Sequence, residues 1–185
     1  MQRNYLAIDL RGYPSDLFEA VCEVVPAEDF PLSKRGITGV EVFTSSQLRN
    51  VPKGVDLIFA RGGTVQRNRK FLDSKRINVL SCPYPFDSVQ ARCAAENKIA
   101  LELCFREVMN AQAYLRAKVL ASFQKTVNLA RKYHAPLVIT SGSSSDDEVK
   151  SPRQLVAFGK VLGLDYSEAK ASIYTIPRRV LEGFE

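Results

Sequence analysis

Histidine is nearly missing from this chain: His134 stands alone among 185 residues. Barrel hydrolases that bind metal mostly do so through several imidazoles, so this scarcity speaks against such a centre. His134 itself precedes Ala135 and Pro136 and reads as a surface residue at a helix end, where its charge would suit the helix dipole. The four cysteines, Cys22, Cys82, Cys93 and Cys104, are far apart and form no CxxC pair. That excludes the common zinc and dithiol spacings and leaves buried free thiols in a reducing compartment. No basic segment followed by an apolar stretch opens the chain, and no uncharged apolar run approaches the ~20 residues that cross a bilayer. A cytoplasmic protein with no membrane partner is expected. Gly/Ser-rich linkers and low-complexity tracts are also missing, so residues 1–185 are expected to form a single domain around one sizeable core.

What is present is basic charge, unevenly spread. The net charge is +6. From Met1 to Phe30 two arginines meet six acids, whereas from Arg61 to His134 fourteen Lys and Arg meet five Asp and Glu. A polyanion such as nucleic acid would bind the middle of the chain rather than its start. The densest stretch, Leu57 to Cys82, joins two apolar runs through Arg61, Arg67, Arg69, Lys70, Lys75 and Arg76, opposed only by Asp73. A solvated basic face with no partner would have the same composition.

The apolar pattern alternates between two periods. Tyr5–Asp9, Ile37–Phe43, Val55–Ala60, Ile77–Leu80, Ile99–Cys104 and Pro136–Thr140 suit strands. Between them lie helical stretches. Ser15 is placed to cap a helix carrying Leu17, Phe18, Val21, Val24 and Val25; Pro26–Gly36 is a loop; and Ser45–Asn50 is a brief helical turn. Thr64 caps the next helix, with Phe71 and Leu72 inward and Asn68 and Asp73 toward water. Asp87 caps another reaching about Asn97, and the longest runs from about Asn110 to Tyr133 with Leu120, Phe123, Val127 and Ala130 as its apolar stripe. Ser151 and Pro152 open a helix that Gly163 ends; Ser167 and Pro177 open two more.

Six strands alternating with helices specify an α/β fold with a parallel sheet. An open doubly wound sheet and a closed barrel both fit. A polar residue at or near most strand ends (Asp9, Glu41, Arg61, Ser81, Glu102, Ser141) favours the barrel, because such positions converge on its C-terminal face. Three acids and an arginine there could serve a free-standing barrel phosphoesterase built on Asp9, Glu41 and Glu102. The structural alternative is a buried ion pair between Glu102 and Arg61. Ser141–Ser145 lacks both the GxxxxGK[ST] and GxSxG patterns and reads as a polar loop, and Arg61-Gly62-Gly63 as a tight turn.

A resemblance goes further. DLIFARGG (Asp56–Gly63), Asn68-Arg69, VLSCP (Val79–Pro83), AAENKIALEL (Ala94–Leu103) with FRE (Phe105–Glu107), LARKYHAPLVITSG (Leu129–Gly142), SPRQL (Ser151–Leu155) and IPRRVLE (Ile176–Glu182) occur in order. Together they resemble the archaeal ribonuclease P protein component 3 family, which includes the eukaryotic thirty-kilodalton ribonuclease P subunit. The likeness runs from about Val55 to Glu182. It departs at Cys82, where the family commonly has histidine, at Ser143 for a usual alanine, and at Glu148-Val149-Lys150 for an aspartate-leucine-arginine-like run.

The resemblance implies a TIM-barrel-like (β/α) barrel, incomplete or irregular and similar to the histidine-rich PHP barrel phosphoesterases. It implies a subunit of the ribonucleoprotein that removes the 5′ leader from precursor tRNA. Its partners would be the ribonuclease P RNA, protein component 2, the other ribonuclease P proteins and, indirectly, precursor tRNA. Hydrolysis would belong to the RNA subunit and its magnesium, with no cofactor and no catalytic or metal-binding residue in this chain. Arg61, Arg67, Arg69, Lys70, Arg106 and Arg153 are the expected RNA contacts, with phosphate contact dominant. From charge alone, and not from the resemblance, the acidic Ser15–Val25 helix would face protein, because RNA would be repelled there.

Overall fold

A computed structural model of the protein describes residues 6–30 and 36–184. The expected strand start at Tyr5 and residues 31–35 of the expected loop lie outside these residues. Seven strands form one parallel sheet in sequential order: β1 (Ile8–Asp9), β2 (Ala20–Pro26), β3 (Ile37–Val42), β4 (Leu57–Arg61), β5 (Val79–Ser81), β6 (Ala100–Cys104) and β7 (Leu137–Thr140). The sheet curls into a nearly closed barrel. Its seam is bridged where Ile139 N donates to Ser172 O at 3.0 Å and Ile8 N donates to Ile173 O at 2.8 Å. Residues 172 and 173 thus stand in for the edge bonds that an eighth strand would make.

The expected helix from Ser15 is overturned, since residues 20–26 are strand β2, paired to β1 on one side and β3 on the other. Val21, Val24 and Val25 are β-branched and lose rotamer freedom in a helix but suit a pleated surface. Two open neighbours decide the matter. The other elements follow the sequence closely: α1 (Ser45–Arg49), α2 (Val65–Ser74), α3 (Ser88–Glu96), α4 (Phe105–Asn110), α5 (Ala113–Tyr133), α6 (Pro152–Val161), α7 (Tyr166–Ala171) and α8 (Thr175–Glu182). Thr64, Asp87 and Ser151 cap α2, α3 and α6 as expected. The long helix expected from about Asn110 to Tyr133 is α5, with the short α4 before it as an element the sequence reading did not expect, and α7 is capped by Asp165 rather than Ser167. His134 is the exposed, left-handed C-cap of α5.

Side chains alternate across each strand, giving two cores. Ile8, Leu57, Phe59, Val79, Ala100 and Val138 fill the barrel, with Val180 of α8 among them. Ala60, Leu80, Leu101, Leu103 and Ile139 face out against Phe71, Leu72, Phe123, Val127, Leu155 and Phe158 of the helices. Phe105 and Phe123 meet Phe158 edge-on at 5.1 and 6.2 Å between ring centres. No helix among the described residues is long and apolar enough to cross a membrane.

Candidate functional site

Inward positions at the carboxyl ends of the strands are polar, and the chain places a cation among them. Arg11 follows β1 and bends back over the barrel mouth. Its guanidinium carbon lies 4.7 Å from the centre of the Phe59 ring, which forms the floor. One amino group donates to Glu41 Oε1 at 2.9 Å and to Ser81 Oγ at 3.1 Å, and Nε sits 3.0 Å from Glu102 Oε1. Glu102 also accepts from Ser81 Oγ and, at 2.7 Å, from Thr140 Oγ1. Burial pulls the Arg11 guanidinium toward neutrality, but the Glu102 and Glu41 carboxylates outweigh it and hold the group firmly charged. Glu41 and Glu102 are therefore committed to an internal cation.

The expected pair between Arg61 and Glu102 is corrected by this geometry. Arg61 is half-exposed at the end of β4 and bonds Glu107 Oε1 at 2.9 Å, with Glu41 3.9 Å away. Sequence reading missed Arg11. Its one signal was that Asp9-Leu10-Arg11-Gly12 continues a buried strand into a cation and then a glycine. Gly12 leaves no room for a side chain, since a Cβ there would strike the Asp9 carboxylate.

Asp9 lies beside this cluster at the seam. Its carboxylate accepts from Ser141 N and Arg11 N, each at 3.2 Å. Burial pushes the Asp9 carboxyl up to about 7, against hydrogen bonds from Ser141 and Arg11 that pull it down. The loop after β7 is tied to the loop after β1 by Gly142 N to Arg11 O at 2.9 Å and Tyr13 N to Ser143 Oγ at 2.9 Å. Ser141 and Ser143 are buried, so the expected plain polar loop is a structural clasp.

All four cysteines are free, but only Cys22 and Cys104 are buried; Cys82 and Cys93 are part-exposed, which corrects the uniform burial expected. Burial raises the Cys22 and Cys104 thiols to about 12, which makes them poor nucleophiles near neutral pH. Among the described residues no group of three or more His, Cys, Asp and Glu side chains is arranged to hold a metal ion.

A cleft of about 340 Å³ opens above the cluster, lined by Arg11, Tyr13, Glu23, Arg61, Arg106 and Glu107, among others. It brings together two of the expected RNA contacts, Arg61 and Arg106. Arg67 is not among its lining residues and instead donates to Gly62 O at 3.4 Å, next to Arg61 in the chain. Arg67, Arg106 and Arg153 all lie in the first turns of helices α2, α4 and α6, on the side of the barrel where the strands end. Arg69 and Lys70 are exposed farther along α2, and Arg69 is paired with Asp87 at 3.0 Å. The six residues do not form a single patch. Asn68, expected in water, is instead fully buried, accepting from Gly63 N and donating to Pro83 O and Gln90 Oε1.

Residues 37–184 match the family model described as RNase P subunit p30. Ribonuclease P protein component 3 of Methanothermobacter thermautotrophicus is 32% identical, over 98% of this chain and 78% of that protein. The Methanosarcina barkeri protein of the same name is also 32% identical, over 70% of this chain and 56% of its own length. In three dimensions the chain resembles one in a cryo-EM structure of archaeal ribonuclease P with mature tRNA, at a TM-score of 0.80 and 22% identity, covering 95% of this chain and 90% of that one. A crystal structure of an amidohydrolase shares the barrel more distantly, at a TM-score of 0.59 and 10% identity over 79% of this chain and 42% of the other. The match by family starts at the third strand, earlier than the phrases from Val55 onward, and the relatives align through the N-terminal strands as well. With its barrel, its strand-end residues and these relatives taken together, the chain belongs to the ribonuclease P subunit p30 family.

Proposed function

We propose that the chain is a non-catalytic protein subunit of ribonuclease P. It would support the RNA that cuts the 5′ leader from precursor tRNA, acting together with protein component 2 and the other protein subunits. Hydrolysis and magnesium belong to the RNA in this reading. The observation that carries it is the Arg11 guanidinium between Glu41 and Glu102. Those carboxylates already have a cation, so they are poorly placed to bind a divalent ion or to move a proton to substrate. The arginines at the helix starts remain on the same face, where helix N-termini add to the attraction for phosphate.

The amidohydrolase-like barrel is the observation that favours the competing reading, a free-standing phosphoesterase. The two readings separate when the purified chain is given bis(p-nitrophenyl) phosphate with magnesium or manganese. No metal-dependent release of nitrophenolate is expected. Turnover that disappears in Glu102→Gln would overturn the subunit reading.

A further inference from the structure

We propose that the cleft above Arg11 receives a single unpaired nucleotide of RNA, with Tyr13 stacking on its base. The inference rests on the reading that this chain works on RNA. At about 340 Å³ the cleft falls at the small end of the ~300–1,000 Å³ range of small-ligand pockets. A duplex cannot enter such a space, and one nucleotide can. Unpaired nucleotides are also the elements of RNA that proteins read by stacking and by contacts to base edges.

The lining has the chemistry of a base joined to a phosphate. Arg61 and Arg106 are half-exposed cations already paired with carboxylates, Arg61 with Glu107 at 2.9 Å and Arg106 with Glu148 at 3.6 Å; Glu23 is an exposed carboxylate, and Asn110 offers both donor and acceptor. A free phosphate would satisfy the arginines and be repelled by the glutamates. A nucleotide satisfies both, because its phosphate meets the cations while an exocyclic amino group donates to a carboxylate.

Tyr13 is 41% exposed at the edge of this cleft. It sits on a fixed loop: its own N–H is held by Ser143, the Arg11 carbonyl is held by Gly142 N, and Ser141 Oγ reaches the same carbonyl at 3.3 Å. Gly142 is required there, with φ at +69° and a Cβ that would lie 2.6 Å from Cys104 Sγ. An exposed aromatic on a pre-organised loop loses little freedom when a base stacks on it.

The test uses the full chain, fluorescently labelled pentacytidine and a blunt-ended two-strand RNA duplex, each titrated with wild type, Tyr13→Ala and Tyr13→Phe. Tyr13→Ala is expected to weaken pentacytidine binding about ten-fold and to leave the duplex within about two-fold of wild type, with Tyr13→Phe close to wild type on both. The proposal is overturned if Tyr13→Ala leaves pentacytidine affinity unchanged, if it weakens the duplex equally, or if Phe fails to rescue. A wild-type chain that binds the duplex but not pentacytidine removes the cleft from RNA recognition and leaves the subunit reading in place. A chain that binds neither and does not stimulate ribonuclease P cleavage removes the subunit reading itself.

Discussion

At the scale of single residues, Arg11 is the group on which the barrel mouth depends. Replacing it with methionine keeps much of the side-chain volume but strands the buried Glu102 carboxylate without a cation and leaves Glu41 only Arg61, 3.9 Å away. The expected loss is about 3–5 kcal/mol in chemical denaturation, with partial recovery in Arg11→Met combined with Glu102→Gln. Arg61→Ala should cost no more than about 1 kcal/mol, because the Arg61 pair with Glu107 is half-exposed. Asp9 gives the mouth a pH dependence. Its carboxyl keeps a proton to about 7 in the folded chain, whereas the ordinary value is 3.8. Between those values the unfolded chain binds fewer protons than the native one. Its contribution to stability is therefore intact below about pH 4, falls as pH rises through 7, and then levels off, with a ceiling of about 4 kcal/mol. Asp9→Asn should flatten the profile of unfolding free energy between those limits; an unchanged slope would show that Asp9 titrates normally. Arg11 escaped the sequence reading because its acids are distant, at positions 41 and 102, and nothing local marks the contact.

At the scale of elements, capping chemistry was legible and topology at the N-terminus was not. Thr64, Asp87 and Ser151 each bond a backbone N–H three residues on, a local interaction that sequence spacing reports directly. The apolar residues from Leu17 to Val25 fit a helical face and a strand equally, and only the neighbouring strands β1 and β3 decide between them. Asn68 was misjudged for a similar reason. A polar residue on a basic helix suggests water, yet the turn at Gly62 and the Pro83–Pro85 segment close over it. Gly62→Ala should cost about 1–3 kcal/mol, since a Cβ would lie 2.6 Å from both Asn68 Oδ1 and Cys82 O. Thermal melting would check this, and a wild-type melt would show that α2 can retreat from β5. The outer face of α2 should behave differently. Arg67→Gln with Lys70→Gln should leave stability unchanged while lowering the slope of log affinity for RNA against log salt by roughly 1.5. An unchanged slope would remove both from the interface.

At the scale of the whole molecule, the alternation of strand and helix and the polar strand ends were enough to anticipate a barrel with a convergent mouth. Strand β2 and the seam were not, because the apolar residues from Leu17 to Val25 fit a helix as well as a strand and the closing bonds come from residues 172 and 173. Along the chain the charge is uneven, six acids meeting two arginines from Met1 to Phe30 and fourteen Lys and Arg meeting five acids from Arg61 to His134. In the subunit reading the basic stretch meets RNA. The most direct test is cleavage of a precursor tRNA at limiting magnesium by the cognate ribonuclease P RNA with protein component 2, with and without this chain. The expected result is faster cleavage when the chain is added and none when it is supplied without the RNA. No stimulation of the cognate RNA, together with Glu102-dependent phosphoester hydrolysis by the chain alone, would contradict the subunit role and make the barrel an enzyme.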